Sequence, residues 1–144
     1  MVEQDTIRLL RECDAGVKMG VASIDEVLDH VQSDSLKQDL IDCKSKHEHL
    51  KDEINALLNR YHDDGKEPNM IAKGMSWMKT NIKMGVDNSD QSIADLMTDG
   101  CNMGIKSLSR YLNQYEAADE TSKNIAKRLI GLEEGLVTDI RGFL

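Results

Sequence analysis

A chain of 144 residues with a formal net charge of −8 is one domain with room for a real core, and its acidic surface repels phosphate backbones, which disfavours nucleic acid as a partner. Hydrophobic residues at 40 % and charged residues at 31 % suit a soluble globular or bundle protein, while one proline and 3 % aromatics argue against a sandwich or barrel, which need frequent turn breakers and aromatic strands. No apolar run approaches the roughly 18 residues that span a bilayer, and the acidic start MVEQDTIRLL is unlike a secretory signal, so a cytoplasmic chain without a membrane partner is expected.

The first helix is predicted over about 3–31, where Ile7, Leu10, Asp14, Val17, Val21, Ile24, Leu28 and Val31 alternate in steps of three and four. QSDSLKQ breaks that seam, and Ser35 with Gln38 reads as a capping box opening a second helix over about 35–63. Its stripe runs Leu36, Leu40, Cys43, His47, Leu50, Ile54, Leu57 and Tyr61. DDGKEPN ends it, with Gly65 suited to the left-handed position after a helix and Pro68 to a first turn. A crossover helix over about 69–86 follows from Ile71, Met75, Met78 and Ile82, and it also carries Trp77 and Met84 off the stripe. These two either cover the end or side of the bundle or form a self-association patch, since methionine and tryptophan suit adaptable apolar interfaces.

The third helix, about 90–116, shows Ile93, Met97, Cys101, Gly104, Leu108, Tyr111 and Tyr115, with several caps on offer in DNSDQS. The fourth, about 120–143, shows Ile125, Leu129, Leu132, Leu136, Ile140 (or Asp139) and Phe143, capped by Asp119 or Thr121. Residues 1–144 therefore read as a single all-α domain, an antiparallel four-helix bundle with an additional crossover helix between helices 2 and 3. Cys13, Cys43 and Cys101 are an odd count without a CxxC pair, which argues for reduced, semi-buried thiols rather than a disulfide framework or zinc finger.

Polar residues on the seams are the informative positions. Asp14 interrupts the first stripe and His47 the second. Antiparallel pairing around QSDS puts position 14 near 51 and 17 near 48, and pairing around EAADE puts 101 near 134 or 135. Asp14, His47, Glu48 or Lys51, Cys101, Asn102, Glu133 and Glu134 thus fall in one broad middle layer, where carboxylate, imidazole and thiol could ligate a metal. A di-iron carboxylate site needs two glutamates and two Glu-x-x-His pairs. Lys44 stands three residues before His47, and Leu136 and Val137 follow Glu133 and Glu134, so no half-site is complete. The blander expectation is that Asp14 and His47 form a buried hydrogen-bonded pair. Gly16, Gly20, Gly100 and Gly104 cost helix stability, which makes close helix approach or an internal space their expected role.

RLLRECDAGVKMGVASIDEVL, SLKQDLIDCKSKHEHLKDEINALL, the crossover GMSWMKTNI, MTDGCNMGIKSLSRYL and NIAKRLIGLEEGLVTDI together resemble the ferritin-like superfamily, among the small bacterial proteins related to rubrerythrin. The resemblance covers nearly the whole chain and implies a ferritin-like bundle that self-associates as a homodimer or other homo-oligomer. It also implies an ancestral di-metal centre, carried over here as Asp14, His47, Cys101 and Glu134 (or Glu133). The leading expectation is a non-catalytic binding or structural module with a degenerate metal site and no cofactor. The alternatives are a divergent iron- or other divalent-metal oxidoreductase or storage protein, and a binder of an apolar small ligand.

Overall fold

The computed structural model describes residues 2–68 and 89–144. They form four long helices, α1 (Val2–Leu28), α2 (Asp34–Asn59), α3 (Asp90–Gln114) and α4 (Glu120–Ile140), closed by a 3-10 turn at Arg141–Phe143. The predicted crossover helix at 69–86, with Trp77 and Met84, lies outside the described residues.

The helix ends differ from the predicted ones for identifiable reasons. The Asp90 carboxylate accepts from the amides of Gln32 (2.8 Å) and Ser33 (2.9 Å). That fixes the turn after α1 and makes Ser33 the cap, its hydroxyl accepting from the Leu36 amide. Ser35 is therefore two residues too late. α2 stops at Asn59 because His62 adopts a left-handed backbone (φ 56°). The amides of His62 and Asp63 turn back to the carbonyls of Asn59 and Leu58, the closed pattern that normally ends in glycine. Gly65 is not the helix stop. Asp119 caps α4 through the Ser122 amide at 2.8 Å, as one of its two predicted caps.

The same contacts set the directions. Asp90 holds the start of α3 beside the start of α2. At the opposite end, Thr6 and Asp5 of α1 accept from the amides of Asp119 (2.8 Å) and Ala117 (3.1 Å). α1 and α2 are antiparallel, α3 and α4 are antiparallel, and α2 and α3 start from the same end. α1 packs chiefly on α2 and α3 on α4; α4 also touches both α1 and α2, while α1 and α3 meet more loosely.

Two apolar clusters fill the interior. Toward the Asp90 end lie Ile24, Val27, Leu36, Leu40, Ile93, Leu136 and Ile140. Toward the other end lie Leu9, Val17, Leu50, Ile54, Leu58, Ile125 and Leu129. Each fully buried aliphatic side chain contributes about 2 kcal/mol by leaving water. Among the described residues no helix is long and apolar enough to cross a membrane, and all three cysteines are buried and unbridged.

Candidate functional site: a buried histidine–glutamate layer beneath a cleft

Between the two apolar clusters, the seam of α2 presents His47, 1 % exposed. Its Nδ1 meets the carbonyl of Cys43 one turn earlier at 2.8 Å, with the Cys43 sulfur at 3.5 Å, and its Nε2 meets Glu133 Oε1 of α4 at 3.1 Å. Both nitrogens thus face acceptors. A neutral imidazole carries one N–H and cannot serve both, whereas an imidazolium donates to each. Burial pulls the His47 pKa down, but the hydrogen bonds to Cys43 and Glu133 outweigh it and raise the pKa to about 10. The layer is an imidazolium–carboxylate pair inside the bundle.

α1 makes room for it with Gly20. A Cβ there would lie 2.9 Å from the imidazole, closer than real contacts allow, so the ring occupies the space a side chain would fill. From α3, Cys101 faces the same carboxylate; burial, and then Glu133, push its thiol pKa up. Burial pushes Cys13 up to about 12, with Glu12 and Asp14 adding to it. Neither thiol is the thiolate that nucleophilic chemistry requires.

Asp14 goes elsewhere. It is wholly buried and faces the segment that leaves α2. Its Oδ2 accepts from Lys18 Nζ (2.8 Å) and from the Lys66 amide (3.0 Å), while its Oδ1 has no hydrogen-bond partner. Residues 60–68 lie back along α1 through a run of charges. Asp63 Oδ1 accepts from Arg11 (2.8 Å) and from the Gly65 amide (2.8 Å), Lys66 pairs with Glu12, and Lys18 also reaches Glu67 at 2.9 Å. Gly65 (φ +88°) lies against the Asp14 carboxylate, where a Cβ would come 2.2 Å from Oδ2. A side chain at 65 is excluded both by that backbone conformation and by that contact.

The expected Asp14–His47 pair is therefore not made. His47 meets α1 at Gly20, and Asp14 lies six residues, about 9 Å, along the same helix. The antiparallel register places position 47 opposite about 18–20, so a layer holding both Asp14 and His47 was drawn too broadly. On the other side Cys101 meets Glu133, one residue short of the predicted 134 or 135. The carboxylate is Glu133 and not Glu134, which is exposed. The predicted stripe passed through Leu132, whereas the buried positions of α4 run Leu129, Glu133, Leu136. Apolar preference selected the wrong one of two neighbouring residues. Glu48, His49 and Asn102 are exposed, and Lys44 reaches Asp25 of α1 at 2.6 Å.

These donors do not fit a di-metal centre. His47 commits both nitrogens, Asp14 is neutralised by Lys18, and Glu134 faces outward. Among the described residues no three His, Cys, Asp or Glu side chains gather as a metal would need.

Above the His47–Glu133 layer, the loose α1–α3 contact opens a cleft of about 310 Å³. Gly16, Met19 and Gly20 of α1 face Met97, Gly100 and Gly104 of α3 across it, with Cys101 and Glu133 below and Lys66 and Pro68 at one side. All four glycines singled out in the sequence thus line one space. Glu133, 9 % exposed, is its buried charge. No protein-family model, curated protein or solved structure matches this chain.

Proposed function

We propose that this chain is a non-catalytic binding module that takes one small, mainly apolar molecule between α1 and α3. The observation that carries this reading is the cleft itself. Its volume of about 310 Å³ lies at the lower end of the range of roughly 300–1,000 Å³ for small-molecule sites. Each interior glycine costs a helix about 1 kcal/mol relative to alanine. Gly20 is accounted for by His47, but Gly104 is not crowded, since a Cβ there would rest at an ordinary 3.7 Å from Glu133. Its place on the cleft wall supports a space kept open rather than a tight helix crossing.

A ferritin-like arrangement, with its long connection between the second and third helices, suits this chain because α2 and α3 start at the same end. Residues 60–68 run back along α1 toward that end. An oxidoreductase or iron-storage reading lacks, among the described residues, a ligand set that fits. A self-associating structural module, as a homodimer or larger, has less support: among the described residues the large exposed apolar side chains are Val2, Ile41, Met103 and Leu144, each on a different part of the chain.

The test is native mass spectrometry of the purified full chain, with thermal-shift measurements against short alkyl probes. Occupancy by one small molecule per chain, lost in Gly104→Leu, is expected. Probes that bind Gly104→Leu as well as the parent, or that bind neither, overturn the reading.

A further inference from the structure

Resting on the cleft as the binding site, we infer that its occupant is an apolar molecule ending in a hydrogen-bond-donating head, a hydroxyl or an ammonium, which Glu133 accepts from. The donors beside Glu133 are already committed. His47 Nδ1 is turned to the Cys43 carbonyl and Nε2 to Glu133 Oε1, so the imidazolium offers no N–H to the cleft. The Cys101 thiol is a weak donor that faces the same carboxylate. Lys66 stands at the side of the cleft and is paired with Glu12.

Glu133, by contrast, is acceptor-only when ionised, with about four lone-pair sites over two oxygens, of which His47 takes one direction and the Cys101 thiol another. Gly104 leaves the approach from the cleft clear, since a Cβ there would sit 3.7 Å from the Glu133 carboxyl carbon. A donor head completes this carboxylate with a charge-assisted hydrogen bond. A carboxylate head would set acceptor against acceptor where solvent is scarce, at a cost typical of a buried polar group without its bond. The net charge of −8 acts in the same direction, favouring an ammonium and opposing an anion.

Three matched probes separate the possibilities: decanol, decylamine and decanoate, titrated below their aggregation limits into the full chain by calorimetry. Decanol and decylamine should bind, and decanoate should bind about tenfold more weakly or worse, a difference of about 1.4 kcal/mol. Glu133→Gln, which gives the floor an amide donor, should shrink the gap between decanoate and decanol. Gly104→Leu, which fills the cleft while keeping both His47 and Glu133, should remove binding of all three, so the assignment stays testable even if Glu133→Gln unfolds. Equal binding of the three heads, or preference for decanoate, overturns the donor-head inference while leaving the cleft as the site. Absence of binding by any probe in the parent chain overturns the cleft reading itself.

Discussion

Around His47 the bundle keeps its charges inside. The imidazole of α2 and the carboxylate of α4 meet across the core, and Gly20 of α1 gives up its side chain so that the ring fits. Around Asp14 the charge is answered from the flank of the bundle. Lys18, on the same helix, and the Lys66 amide, from the segment after α2, converge on one carboxylate oxygen, and Gly65 lets that segment come close enough. In both places a buried ionisable group is admitted beside a glycine. The difference is that the His47 layer ties two helices through their interior, whereas Asp14 ties a connecting segment to the side of one helix. The first should govern global stability and the second the local order of residues 60–68.

The largest expected effect follows from breaking the interior pair. Glu133→Ala leaves a buried imidazole without its counter-charge and should destabilise the chain by about 3 kcal/mol in denaturant melts. Replacing both partners, as Glu133→Leu with His47→Leu, should avoid most of that loss, because an apolar pair of similar volume needs no counter-charge. A Glu133→Ala cost no larger than that of a surface substitution would remove the distinction between the two regions.

The pair also predicts a direction for pH. His47 holds its proton more tightly in the folded chain, with a pKa raised to about 10 from 6.5. Its contribution is therefore fully present below about pH 6.5, falls as pH rises, and is gone above about pH 10. The slope should reach about 1.4 kcal/mol per pH unit within that window. His47→Leu, in the background of Glu133→Leu, should flatten it. A parent chain whose stability rises between pH 7 and 10 contradicts the imidazolium assignment.

Asp14→Ala should cost less, about 2 kcal/mol, through the Lys66 amide left without its acceptor and Lys18 left half-satisfied. The damage should be local: hydrogen exchange at the Lys66 amide should accelerate while amides around Leu50 and Leu129 keep their protection. High salt should act in the same direction on residues 60–68, because Arg11–Asp63 and Lys18–Glu67 are partly exposed and are screened, whereas the interior pair is not. Asp14→Ala and His47→Leu should be additive within about 0.5 kcal/mol, since no shared contact joins them. Clear coupling would restore the single polar layer that the sequence suggested.

How much of this the sequence could carry depends on what each residue's neighbours decide. The stripes of α1 and α2, and the α3–α4 register to within a residue or two, are legible, because long apolar periodicity and the antiparallel rule leave few solutions. His47 as a core residue and Cys101 in its layer were legible for the same reason. The partner of His47 was not. Leu132 and Glu133 are adjacent on α4, and only the rotation of that helix against three others decides which turns inward. Asp14 was assigned to the interior layer because no sequence rule shows a connecting segment folding back to supply Lys66. Gly65 holds the clue, being a glycine that lies beyond the end of α2. The four glycines were the most informative signal: their common cleft appears only when α1 and α3 are set side by side.

The smallest predicted effect sharpens the flank region from its beginning. His62 carries a left-handed backbone at the end of α2, with φ 56°, a conformation that costs a side-chain-bearing residue roughly 1 kcal/mol relative to glycine. The turn needs that conformation for the amides of His62 and Asp63 to reach Asn59 and Leu58. From there Asp63 can meet Arg11, and the later residues can lie along α1. His62→Gly relieves the strain but also frees the unfolded chain, so a net gain of about 0.5 kcal/mol in denaturant melts is expected. The gain should appear as slower exchange at Asp63 through Lys66, with no change in the pH slope set by His47. If His62→Gly instead destabilises the chain, the imidazole at 62 supports the segment itself, and the charges along α1 are not what chiefly holds residues 60–68 in place.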